Sequence, residues 1–99
     1  MNAVQEKIEL LRSVAVDDMG LDRMLDKLLH VVQGQHHEKL AHLDDLLHQF
    51  ETKYQMDSHL FQREFDAGQL GDAMDFFEWH GLIEMHELVR QKLDRLESR

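Results

Sequence analysis

Apolar residues recur at steps of three and four along nearly the whole chain, the spacing of side chains that share one face of an α-helix. Val4, Ile8, Leu11 and Val14 or Ala15 mark a short first helix within residues 1–16, which the Asp17-Asp18-Met19-Gly20 stretch interrupts. Either aspartate suits an N-cap, because its carboxylate accepts hydrogen bonds from N–H groups that have no partner inside the helix. From there Leu21, Leu25, Leu28, Leu29 and Val32 form one stripe, continued past Gly34 by His36, Leu40, Leu43, Leu47, Phe50 and Tyr54. This predicts a long amphipathic helix over 18–55, or two helices joined near Gly34. A glycine inside a helix costs only about 1 kcal/mol relative to alanine, so it permits a bend without requiring a break.

The next punctuation is Met56-Asp57-Ser58. With Asp57 as N-cap, Met56 and Phe61 take the positions of a hydrophobic staple around the start of a short helix over 57–67. Gly68 follows as a left-handed C-terminal residue. Beyond the Gly68–Gly71 loop, Asp72 is the expected cap of a last helix over 72–97, with Asp75 in its first turn favoured by the helix dipole. Phe77, Gly81, Met85, Leu88 or Val89, and Leu96 give this helix one stripe, and Phe76, Trp79 and Ile83 widen the apolar arc over its first half. A helix apolar on two sides is contacted on two sides, so Phe76–Ile83 is expected to be the best-buried part of the chain. The fold class is all-α, a single helical domain over 1–99 with no strand.

Length then bears on association. Ninety-nine residues suffice for one small domain. A helix from Leu21 to Tyr54 is roughly 50 Å long, whereas a compact chain of this size has a radius of gyration near ~13 Å. Either the helix folds back at Gly34 or a second copy covers its stripe. The mixed spacing favours a packed bundle over a strict coiled coil, and symmetric dimers are the commonest solution for such a surface. The expected homodimer interface is Leu29, Val32, His36, Leu40, Leu43, Leu47 and Phe50.

Charge narrows the partners. Eleven basic and 20 acidic residues give a net charge of −9, the wrong sign for direct nucleic-acid binding. Glu6, Lys7, Glu9 and Arg12 interrupt the first apolar stretch, and no segment approaches a membrane span, so a cytoplasmic protein with no membrane partner is expected. Residues 57–89 hold eight acids against the single base Arg63, while the last ten residues carry +2. Acids interleaved with aromatics suit a basic protein partner, charge steering its approach and aromatic anchors supplying affinity. The candidate partner-binding residues are Phe61, Phe65, Asp72, Asp75, Glu78 and Trp79. The same pattern also describes a solvated acidic face over an aromatic core, and the spacing does not separate the two.

Chemistry is sparsely supplied. The absence of cysteine removes disulfides, thiolate metal sites and cysteine nucleophiles together. Ser58 and His59 are adjacent and so do not face each other on a helix, and Gly68 and Gly71 lack the context of a phosphate loop. A nucleophile, base and oxyanion stabiliser cannot be assembled, so no enzyme activity and no cofactor are expected. Eight histidines stand out, several one turn from a carboxylate: Glu38 with His42, Asp44 with His48, His80 with Glu84. They make a small His- and carboxylate-rich metal-binding bundle the alternative function. HExxH and the Glu-x-x-His of di-iron bundles are both missing, and no metal ligand is assigned. Protonating all eight would move the net charge from −9 to −1, weakening electrostatic partner binding below about pH 6.

The segment from Tyr54 to Trp79 resembles a group of small prokaryotic all-helical proteins. Their pattern is a Tyr-x-Met turn, a Phe-x-x-x-Phe helix, a Gly-x-Leu-Gly-Asp loop and an Asp-Phe-x-Glu-Trp helix, preceded by a long helical half. The matching positions are Phe61, Phe65, Gly68, Leu70, Gly71, Asp72, Asp75, Phe77, Glu78 and Trp79. The resemblance implies an antitoxin-like protein that neutralises a basic toxin. His80 and His86 depart from the pattern, and no role transfers to them.

Overall fold

A computed structural model describes residues 2–99. It is all-α, with helices α1 (Ala3–Val14), α2 (Asp18–Tyr54), α3 (Ser58–Asp66) and α4 (Met74–Glu97), and no strand among the described residues. Local chemistry sets most of the boundaries. Asn2 and Gln5 form a reciprocal capping box at the start of α1. Of the two candidate caps for α2, Asp17 does the work, accepting the Gly20 N–H at 2.6 Å. The helix passes through Gly34 without interruption.

Its end is a left-handed turn. Gln55 has φ 52°, and the Met56 N–H reaches back to the Glu51 carbonyl at 3.2 Å, the six-to-one bond of a Schellman motif. Asp57 then caps α3 through the Leu60 N–H at 2.7 Å. Met56 packs on the cluster that contains Phe61, as the staple requires. Gly68, with φ 70°, closes α3 in the same way as Gln55 closes α2, the Gln69 N–H meeting the Glu64 carbonyl at 3.0 Å.

The start of α4 differs from expectation. Its N-cap is Ala73, which offers no side-chain bond, and Asp72 caps nothing. The Phe76 N–H instead bonds the Ala73 carbonyl, and Asp75 turns its carboxylate to Tyr54 and Lys53.

The chain divides into two compact units, one up to Val32 and the other Gln33–Arg99. In the first unit no described side chain is buried, and twelve large apolar residues are exposed. The second unit holds the six residues buried among those described: Leu40, Leu43, Leu47, Phe61, Trp79 and Leu93. Here α4 runs antiparallel to the Gln33–Tyr54 part of α2. Lys53 and Tyr54 meet Asp75, Phe50 meets Trp79, Asp44 meets His86, and Gln33 and His37 meet Glu97, residue numbers falling on one helix as they rise on the other. The short α3 connects the two and packs at the connected end of this hairpin, with Phe61 against Phe76 and Trp79.

Trp79 is the centre of the packing, but the rest of the Phe76–Ile83 stretch, expected to be the best buried, is only partly so and Phe77 is exposed, because α4 is covered on one side by α2 and α3 alone. The Trp79 ring stacks on Phe61 at 3.9 Å between centroids and on Phe50 and Tyr54 at 5.6 and 5.8 Å. Its indole N–H donates to the Ser58 hydroxyl at 3.0 Å, which satisfies the one polar atom that burial would strand.

This packing corrects the expected homodimer interface. Leu40, Leu43 and Leu47 are buried by their own chain, and Phe50 is half-buried against Trp79. His36 is also half-buried. The apolar stripe needs a cover, and between Leu40 and Phe50 the chain supplies it. Leu29, half-buried, and Val32, exposed, belong to the first unit.

Candidate interaction surface

The register of α2 and α4 brings together acids that lie far apart in sequence. An open groove of about 1210 Å³ runs between α2, α3 and α4, all within the second unit. Leu47 and Ile83 give it an apolar floor. Six carboxylates line it (Asp44, Asp45, Glu51, Asp57, Asp66 and Glu87), with His48, His59 and His86 and the single base Arg63. At neutral histidine the groove therefore carries a net charge of −5.

Several of these groups are already held in place. The Asp44 carboxylate lies 2.8 Å from His86 Nε2, tying α2 to α4 across 42 residues of sequence. Glu51 accepts the Ser58 N–H at 2.8 Å, fixing the turn into α3, and lies 3.8 Å from His48. Asp57 is occupied as the α3 cap, and Asp66 accepts from the Gln62 amide at 2.8 Å. Beside the groove, His80 bridges Gln62 at 3.0 Å and Glu84 at 2.9 Å while its ring stacks on Phe65. Among the i,i+4 pairs read from sequence, His80 with Glu84 forms, whereas Asp44 chooses His86 over His48.

The six predicted partner-binding residues do not line this groove. Phe61 and Trp79 are fully buried, which corrects their assignment as anchors: they are core, beyond reach of a partner on the folded chain. Phe65 is half-buried, packed on Phe61 and edge-on to Phe77. Asp72 and Glu78 are exposed. Asp75 accepts the Tyr54 hydroxyl at 2.5 Å and the Lys53 ammonium at 2.7 Å. Those bonds, Lys53 first, hold its carboxyl below the ordinary value, and the same carboxylate raises both Lys53 and Tyr54. Asp75 thus clamps the end of α2 to the start of α4.

Compared with known proteins, the chain matches no family model, no curated protein and no solved structure. Its chemistry must be read from its own residues. Among the described residues no three His, Asp or Glu side chains converge on a point where they would hold a metal ion. No helix among them is long and apolar enough to cross a membrane. What the arrangement offers is a shaped, negatively charged surface. Sequence reasoning located the acids of residues 57–89 but missed the contribution of α2, namely Asp44, Asp45, His48 and Glu51. The available signal was the Asp44–His48 pair, read as a ligand spacing and not as one wall of a groove.

Proposed function

We propose that this chain is a non-catalytic, self-associating interaction protein of the cytoplasm that binds a basic protein partner through the acidic surface of its second unit. The observation that carries this reading is the groove itself, with six carboxylates against one arginine over an apolar floor. Such a surface attracts a cationic partner at long range and offers apolar area once the partner arrives. The resemblance of the Tyr54–Trp79 segment to antitoxin-like proteins supports a neutraliser of a basic toxin as its most concrete form. The groove acids replace Phe61 and Trp79 as the proposed contacts, with exposed Asp72 and Glu78 as further charge.

The test is a pull-down of the tagged chain from its host lysate, eluted along a salt gradient, beside an Asp45→Asn/Asp66→Asn/Glu87→Gln variant. A basic protein held stoichiometrically by the native chain, released as salt shortens the screening length from about 10 Å at 0.1 M to about 3 Å at 1 M, and lost by the variant is the expected outcome. Equal retention by the variant would refute the groove as the binding surface.

A further inference from the structure

We propose that the apolar face of α2 formed by Leu21, Met24, Leu25, Leu28, Val31 and Val32 is the docking surface for a second copy of this chain, the two helices pairing antiparallel about a two-fold axis. The proposal deepens the self-association in the reading above and rests on it, but moves the interface away from Leu40–Phe50.

The first reason is that this face is unlike the rest of the helix. At about 100° per residue the six side chains fall within an arc of about 120°, and Asp22, Arg23, Asp26, Lys27 and His30 all lie outside it. Within the arc Leu25, Leu28 and Val32 are 40%, 57% and 37% exposed, and Met24 and Val31 more than half exposed. Farther along the same helix Leu40, Leu43 and Leu47 are buried by the chain itself.

Spacing names the occupant. The central residues Leu21, Leu25, Leu28 and Val32 are separated by four, three and four positions, an order that reads the same in both directions. Two antiparallel copies of such a stripe meet in register, Leu21 facing Val32 of the other copy and Leu25 facing its Leu28, with Met24 and Val31 flanking the seam. Such a stripe is self-complementary, as a two-fold pairing of identical helices needs its facing side chains to be.

The exposed side chains of this face (Met24, Leu25, Leu28, Val31 and Val32) present about half of the ~800 Å² that one partner contributes to an interface of standard size, so the seam is a small one. Charge agrees. The first 32 residues hold six acids and four bases, net −2, which leaves −7 for the remainder. Like copies therefore repel least where this face lies.

Sedimentation equilibrium on the full chain is the first test. Twice the chain mass of 11.8 kDa is expected for the native protein, and 11.8 kDa for Leu25→Glu/Leu28→Glu with Trp79 fluorescence unchanged. A native chain that stays at 11.8 kDa refutes self-association altogether, while a double variant that remains dimeric refutes this interface alone. Orientation is tested without disturbing the fold, because the chain has no cysteine of its own. Leu25→Cys mixed with Leu28→Cys should give predominantly the mixed disulfide on mild oxidation. Predominant Leu25→Cys homodisulfide would indicate parallel helices and overturn the proposal, as would no cross-link at all.

Discussion

Replacing Trp79 by alanine removes the centre of the second unit's packing. The indole is fully buried, stacked on Phe61 and flanked by Phe50 and Tyr54, and its N–H is bonded to Ser58. A buried aromatic takes about 150–250 Å² out of water, which at about 25 cal/mol per Å² sets an upper range of ~4–6 kcal/mol. The retained β-carbon lowers this, while lost stacking and the unpaired Ser58 hydroxyl raise it. The expected loss is ~3–5 kcal/mol, a large part of the ~5–15 kcal/mol that holds a small domain folded. Urea unfolding followed by circular dichroism reads it, since that signal does not depend on the tryptophan. Phe77→Ala is the internal control, its ring being 52% exposed, and should cost less than half as much. A loss under about 1 kcal/mol for Trp79→Ala would refute the buried stack and return Trp79 to the surface.

Three further outcomes follow from the same structure. Leu43 is 1% exposed, so Leu43→Asp should abolish cooperative thermal unfolding, read by circular dichroism, instead of merely halving a dimer's mass. The Asp75 carboxyl lies below its ordinary value near 3.8, so its stabilising contribution is present above that pH and is lost as the pH falls through the lowered value; the stability difference between native chain and Asp75→Asn should therefore narrow on acidification, whereas parallel urea-stability curves from pH 7 to 2 would contradict the clamp. Gly34 sits inside α2 with open space where a β-carbon would project, so Gly34→Ala should stabilise by about 0.5–1 kcal/mol, while Gly68→Ala, at φ 70°, should destabilise by about 1 kcal/mol; melting temperatures of the two variants should move in opposite directions.

What was legible in the sequence depended on distance along the chain. Asp17, Asp57 and Gly68 act on neighbours within four residues, and each takes its expected place. Asp72 caps nothing, and Asp75, three residues on, bonds Tyr54 and Lys53 of another helix, a contact that local sequence does not announce. The long stripe announces that Leu40, Leu43 and Leu47 are buried, but periodicity carries no information about what buries them. A second copy and the returning α4 satisfy the same pattern. Trp79 and Phe61 were divided between anchor and core for the same reason, and only the packing of three helices decides it. The groove is the least legible feature, because its walls exist only once the α2–α4 register sets Asp44 beside His86.

Among the described residues the buried side chains all lie beyond Gln33, which separates the chain into parts that stand on different thermodynamic footing. Residues 33–99 hold the core, and the helical amides around Leu43, Leu47, Phe61 and Trp79 should be the slowest to exchange with solvent. The helix α1 has 12 residues and no buried face, and an isolated helix of that length is marginal in water. Under the pairing proposed for Leu21–Val32, helicity of the first unit would report whether that face is covered, and dilution should melt the first unit while the second stays intact. Far-ultraviolet ellipticity per residue would fall with concentration even though Trp79 fluorescence did not, and proteases would trim the chain from its N-terminal end before touching the hairpin.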